Sequence, residues 1–206
     1  MTKEQKLIEA SANGHLEVVR ELLKAGAGIH AIEDVALRRA ASNGHPLVVR
    51  ELIKAGADIH ACQDSALRWA AGNGHLPVVQ ELLKAGADIH ACQDQALRWA
   101  ARNGHLPVVQ ELLKAGADIH ACQDQALQWA AQNGHLQVKD LLQNTSDLAL
   151  LDSVLFTFLV CIKMWEFLKP EAKTPELKEK LLMMAEQVEE FEVVEQREQL
   201  QQLVGG

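Results

Sequence analysis

The stretch that decides the fold runs from Ala57 to Gly86 and reads A-D-I-H-A-C-Q-D-S-A-L-R-W-A-A-G-N-G-H-L-P-V-V-Q-E-L-L-K-A-G. Residues 87–116 repeat it with only two differences. Looser copies occupy residues 27–56 and 117–143, and a half-copy spans residues 3–26. Near-identity at a fixed period of thirty residues is the signature of a repeat architecture.

Each copy predicts two short helices joined by a tight turn. Asp94 is a typical helix N-cap, and Asn103-Gly104 is a typical helix end. Pro107 suits the first turn of a second helix, and Gly116 ends that helix. We expect residues 117–120 to form an extended connector. Because one pair of short helices cannot bury its own apolar side, neighbouring copies must stack into a solenoid.

The order of motifs within a copy resembles the ankyrin repeat family. The resembling motifs are A-L-R-W-A-A, N-G-H-L-P-V-V-Q-E-L-L-K and A-G-A-D-I-H-A, and they cover residues 1–143. The resemblance implies an all-α, ankyrin-like helical repeat solenoid, followed by C-terminal helices in residues 144–206. Two features depart from the family. The period is thirty and not thirty-three, which predicts a connection shorter than the family's β-hairpin, and the family's T-P-L-H is replaced by Gln95-Ala96-Leu97-Arg98.

Composition excludes several classes of function. The chain has 206 residues with a formal net charge of −8, and most of that charge lies in residues 144–206, which hold 12 acidic and 6 basic residues. An acidic chain argues against nucleic acid as the partner. Three of the four cysteines sit at equivalent places in successive copies, and the first residues lack the apolar run of a signal peptide. These features predict a cytoplasmic protein without disulfides.

The resemblance to ankyrin repeats implies a non-catalytic scaffold that binds a protein partner through its concave face. Residues that differ between near-identical copies are not required for stacking, so we interpret them as partner-facing, with neutral drift at exposed sites as the alternative. A row of arginines runs beside them, and the aspartates at 34, 64, 94 and 124 are expected to neutralise it. The predicted partner-binding residues are Val35, Arg38, Ser42, Ser65, Arg68, Gly72, Gln95, Arg98, Arg102, Gln125, Gln128 and Gln132.

The tryptophans and histidines of the array each suggest a functional role and a structural one. Trp69, Trp99 and Trp129 precede paired alanines, which favours core packing, although an exposed row would be a binding hot spot. Nine histidines suggest zinc, but one copy offers two ligands, and equivalent residues of stacked copies lie about 10 Å apart. We therefore expect structural histidines bonded to adjacent loops. The sequence predicts no metal, no cofactor and no catalytic site, because no motif of those classes is present.

Residues 144–206 predict two helices of another kind. Residues 153–162 form an apolar stretch of about half the length that spans a membrane, so membrane insertion is not expected and a capping helix is favoured. A second helix from Thr174 has an apolar seam and an acidic side. It either folds back as a hairpin or pairs with another chain, which would give a homo-oligomer. The seam residues are Leu177, Leu181, Met184, Val188 and Phe191.

Two alternatives to the scaffold function remain open at this point. The first is a structural or assembly function, with residues 144–206 as the main interface and the repeats as a spacer. The near-identity of the copies is also typical of consensus engineering or of very recent duplication, in which case a natural partner need not exist.

Overall fold

The computed structural model describes residues 1–146, and Met1–Gln143 form one compact unit. The predictions made for the capping helix and for the apolar seam fall on residues 147–206 and lie outside the described residues. Within residues 1–146 every regular element is a helix and no strand is present, so the all-α prediction is confirmed for this part of the chain.

The helices alternate between first and second helices of each copy. The first helices are α1, α3, α5, α7 and α9, and the second helices are α2, α4, α6, α8 and α10. Their bounds are α1 Lys3–Ala12, α2 Leu16–Lys24, α3 Val35–Ser42, α4 Pro46–Lys54, α5 Ala61–Gly72, α6 Leu76–Lys84, α7 Ala91–Arg102, α8 Leu106–Lys114, α9 Ala121–Gln132 and α10 136–146.

The second helices supply the large apolar side chains of the core. In α6 the side chains of Val78, Val79 and Leu82 are fully buried, and the same positions are buried in α4 and α8. Prolines stand in the first turn of these three helices, as the sequence predicts. Gly74 precedes α6 with a positive φ of 79°, a backbone conformation that glycine adopts without strain.

The first helices contribute mainly alanines, together with one fully buried leucine each in α3, α5 and α7, which are Leu37, Leu67 and Leu97. Ala70 and Ala71 of α5 are fully buried, as are the equivalent pairs in α3 and α7. Neighbouring first helices pack against one another more extensively than neighbouring second helices do.

The loop before each first helix departs from the prediction. Cys92, Gln93 and Asp94 all have left-handed backbone conformations, with φ between 53° and 58°, and the same three positions are left-handed in the other full copies. The loop therefore makes a left-handed turn, and the expected extended connector is wrong for Ile119 and His120, which also form a turn. Asp94 stands where the regular helix begins, as the equivalent Asp34 does at the N-cap of α3, but its carboxylate bonds His90 and the backbone N–H of Asp118 and does not cap the helix.

None of the helices in residues 1–146 is long and apolar enough to cross a membrane.

Candidate protein-binding face

The solvent side of α3, α5, α7 and α9 forms one continuous surface, which we call the inner-helix face. Its most prominent side chains are Trp69, Trp99 and Trp129, which we call the tryptophan row. Trp69 is 46% exposed, and the other two are partly buried. The prediction that these residues pack in the core is therefore wrong. The paired alanines beside them fill that space, and the indole rings lie on the surface.

The rings of the tryptophan row contact one another and the copy before them. The ring centroids of Trp69 and Trp99 are 5.0 Å apart and tilted by 58°. Trp99 also covers the backbone of Gly72, where an added Cβ would lie 3.2 Å from the indole. In the next copy Arg102 occupies the place of Gly72, and its guanidinium carbon lies 5.4 Å from the ring centroid of Trp129. Such a separation allows a cation–π interaction.

Arg68 and Arg98 hold the left-handed turns in place. The Arg68 Nε donates to the carbonyl of Gln63 at 2.9 Å, and its Nη2 donates to the carbonyl of Cys62 at 2.7 Å. Its Nη1 donates to Oε1 of Gln95 in the next copy. Arg98 repeats all three bonds one copy later. These arginines therefore have a structural role, and the glutamines at 95 and 125 take part in it.

The other predicted partner-binding residues differ in exposure. Ser65 is only 3% exposed and donates to the carbonyl of Ala61 at 3.3 Å, and Gly72 is buried beneath Trp99. The expectation that the variable positions are exposed is therefore wrong for these two. Arg102, Gln128 and Gln132 are exposed, whereas the following are partly buried: Val35, Arg38, Ser42, Arg68, Gln95, Arg98 and Gln125.

The sequence analysis did not select two features of this face, the tryptophan row and the exposed Arg39. Arg39 occupies in the second copy the place that tryptophan occupies in the next three. An arginine at this position indicates that the position faces solvent, because an unpaired arginine is rarely buried. The same comparison between copies therefore points to the whole row.

The aspartates beside the arginine row do not neutralise it. Asp94 is 4% exposed, its Oδ1 lies 3.1 Å from His90 Nδ1, and the same oxygen accepts the backbone N–H of Asp118 at 2.8 Å. Asp34 and Asp64 make the equivalent bonds in their copies. These carboxylates join one loop to the next, and no arginine forms an ion pair with any of them in the described part of the chain.

Three of the histidines, His45, His75 and His105, join neighbouring copies, which agrees with the expected structural role. His105 Nε2 lies 3.0 Å from the carbonyl oxygen of Gly72, and His75 and His45 repeat this contact one and two copies earlier. The imidazole of His105 packs so closely over Gly74 that a Cβ there would lie 2.7 Å from Nδ1. In residues 1–146 the structure brings together no group of three or more side chains able to hold a metal ion.

The thiols form a third contact between copies. Cys62 Sγ donates to a carboxylate oxygen of Glu33 at 2.9 Å, and Cys92 Sγ donates to Gln63 Oε1 at 3.0 Å. The hydrogen bond to Glu33 stabilises the protonated thiol, and with partial burial it raises the pKa of Cys62 above its usual value. Cys62, Cys92 and Cys122 are all free thiols.

Ion pairs connect the second helices on the opposite side of the array. Arg50 donates two hydrogen bonds of 2.8 Å to the carboxylate of Glu81, and Arg20 donates one of 3.2 Å to Glu51. The bidentate pair lowers the pKa of Glu81. Two ion pairs therefore link the second helices α2, α4 and α6 from copy to copy.

Stacked helix pairs with an exposed aromatic row define a helical-repeat protein whose surface suits the binding of another macromolecule. A family model for ankyrin repeats matches residues 7–92 and 67–152, which together cover well over half of the chain. The chain belongs to the ankyrin repeat family. No curated protein matches it.

Proposed function

We propose that the array is a non-catalytic scaffold that binds a protein partner through its concave, inner-helix face. Ankyrin repeats are in general protein–protein interaction modules, and this is the coarse function of the family to which the chain belongs. The observation that carries the finer proposal is the tryptophan row, in which Trp69 is exposed and Trp99 and Trp129 are partly exposed. Tryptophan is among the residues most enriched at the centres of protein interfaces.

The packing of the face supports this role. Trp99 rests on Gly72, and Trp69 rests on Trp99, so the rings are held in place before a partner arrives. Side chains ordered in advance lose less conformational entropy on binding. The aromatic surface also runs along several copies and suits a partner segment that lies across them.

The proposal can be tested with a matched pair of full-length variants. Trp69→Arg introduces the residue found at the same place as Arg39, and Leu47→Gln introduces the residue found as Gln137. Both replace an exposed apolar side chain, one on the inner-helix face and one on a second helix. Because each new residue already occurs in another copy, we expect both variants to fold.

A random peptide library displayed on phage is selected on the wild-type protein, and the affinities of the enriched peptides are measured for all three proteins. We expect Trp69→Arg to weaken binding about tenfold or more, the effect of losing a hot-spot side chain, and Leu47→Gln to leave it unchanged. Loss of binding in Leu47→Gln with full binding in Trp69→Arg would place the interface on the other side and refute the proposal.

For residues 144–206 we propose association between chains or a second partner contact. Support comes from the sequence alone: the apolar seam from Leu177 to Phe191 and the acidic residues beside it. The cytoplasmic location likewise stays a prediction.

A further inference from the structure

The exposed charge on α3, α5 and α7 of the inner-helix face is basic, although the chain is acidic. The fourth helix of this face, α9, has no basic residue and carries the half-exposed Asp124, which is bonded to His120. The acidic residues within α5 and α7 are Asp64 and Asp94, and both are buried in the loop contacts described above. In α3 there is none. The basic residues of these three helices remain on the surface or partly so, and they are Arg38, Arg39, Arg68, Arg98 and Arg102.

Most of these arginines form no ion pair with a carboxylate of the described residues. Arg68 and Arg98 bind carbonyl and amide oxygens, which are neutral. Arg102 lies over the ring of Trp129, and Arg39 forms no ion pair with the described residues. The one exception is Arg38, whose Nη1 is 4.0 Å from an exposed carboxylate of Glu33. Such a long, exposed pair contributes little.

Two of these arginines stand beside the tryptophan row. Arg102 stacks with Trp129, and Arg39 occupies the row's own position in the second copy. Guanidinium groups at such positions present N–H donors to solvent, and their planar geometry matches a carboxylate. The face thus offers an apolar aromatic strip together with carboxylate-binding cations.

We propose that the partner segment is an acidic peptide that carries aromatic or aliphatic side chains among its carboxylates. This inference rests on the proposed function and specifies the chemistry of the partner. The apolar side chains of the peptide contact the tryptophan row, and its carboxylates bind Arg39 and Arg102. A long polyanion such as nucleic acid is disfavoured, because a net charge of −8 repels it over the rest of the protein.

The test compares two synthetic peptides of sixteen residues with tryptophan and leucine at the same positions. One peptide carries glutamate at all remaining positions and the other carries lysine. Each is titrated into the full-length protein and followed by calorimetry at several salt concentrations. We expect the glutamate peptide to bind, with an affinity that falls as salt screens the charges, and the lysine peptide not to bind.

Charge reversal supplies a matched control. Arg102→Glu changes the inner-helix face at a position that is already serine, glycine or glutamine in other copies, and Lys114→Glu makes the same change in charge at an exposed end of α8. We expect Arg102→Glu to weaken the glutamate peptide about tenfold and Lys114→Glu to have no effect. Circular dichroism melts of both variants verify that they fold.

Three outcomes would overturn the inference. These are equal binding of the lysine peptide, equal effects of the two charge reversals, and displacement of the glutamate peptide by a single-stranded oligonucleotide at a lower concentration. The selected library peptides distinguish the two proposals. If they bind the inner-helix face but are neutral or basic, the proposed scaffold function is supported and the proposal of an acidic partner is refuted. If the selected peptides bind Trp69→Arg with the same affinity as the wild type, both proposals are refuted.

Discussion

Arg68 and Arg98 show how the same side chain can suggest binding in a sequence and serve folding in the structure. Their guanidinium groups close the left-handed turns by bonding two carbonyls of the turn and a glutamine of the next copy. In the last copy Gln128 takes this place and keeps only the bond to the carbonyl of Gln123. Charge reversal at Arg68 or Arg98 therefore disturbs the fold, and Arg102 is the better probe of binding.

The left-handed turns carry a conformational cost that glycine would remove. Gln123 has φ 59° and ψ 54°, is exposed, and makes no side-chain hydrogen bond. A left-handed residue with a Cβ costs about 1–2 kcal/mol, so we expect Gln123→Gly to raise the free energy of unfolding by about 0.5–1 kcal/mol. Urea denaturation followed by circular dichroism measures the change.

Gln110→Gly is the control for this prediction, because Gln110 is exposed in the middle of α8. Glycine in a helix interior costs about 1 kcal/mol, so this variant should be less stable. Destabilisation in both variants by the same amount would show that the turn at Gln123 carries no strain.

At the scale of the element, the second helices are joined by ion pairs whose contribution depends on pH. The pKa of Glu81 is lowered in the folded state by its bidentate bonds with Arg50. A carboxyl with a lowered pKa stabilises the fold above its unfolded pKa, and this contribution is lost as pH falls through the folded value. The Arg50–Glu81 pair is therefore stabilising at neutral pH and ineffective in acid.

Arg50→Gln tests this pair, since Gln80 is the natural residue one copy later. We expect a lower urea midpoint than that of the wild type at pH 7, and a difference that shrinks steadily as the pH falls below 4.5, the ordinary pKa of a glutamate. A modest effect is expected, because solvent and salt screen an exposed ion pair. A difference that is constant from pH 7 to pH 3 would contradict the assigned role of Glu81.

The helices and their ends can be predicted from the sequence, whereas the loops and the binding surface cannot. The apolar residues of each second helix, such as Leu82 and its neighbours, recur at helical spacing. Prolines and glycines mark the starts and ends of the helices. By contrast, Cys-Gln-Asp contains no glycine, so a left-handed turn has no local signal there. The tryptophans sit next to buried alanines, and only Arg39 in the equivalent place indicates that this side faces solvent.

At the scale of the whole molecule, the open question is how many chains associate. The apolar seam of residues 177–191 lies outside the described residues and is known from sequence alone. If it pairs between chains, full-length protein is a dimer or larger, and Leu181→Glu shifts it toward monomer because a charge in an apolar seam is costly. Light scattering coupled to size exclusion measures the mass.

Glu189→Gln, on the acidic side of the same segment, is the control and should leave the mass unchanged. A wild-type protein that elutes as a monomer at all concentrations would remove association from the proposed function. The inner-helix face would then be the only proposed contact surface.

Each type of bond between copies keeps the same sequence offset in every copy in which it occurs. Asp64 reaches the backbone of residue 88 and Asp94 that of residue 118, each twenty-four positions ahead. Asn73 and Asn103 each reach back thirty-one positions. Removing residues 87–116 would therefore bring Asp64 to the backbone of residue 118 and restore the aspartate bond across the new junction. The array can therefore gain or lose one whole copy without changes to the surfaces between copies. The length of a partner segment that it could contact would change by the same unit.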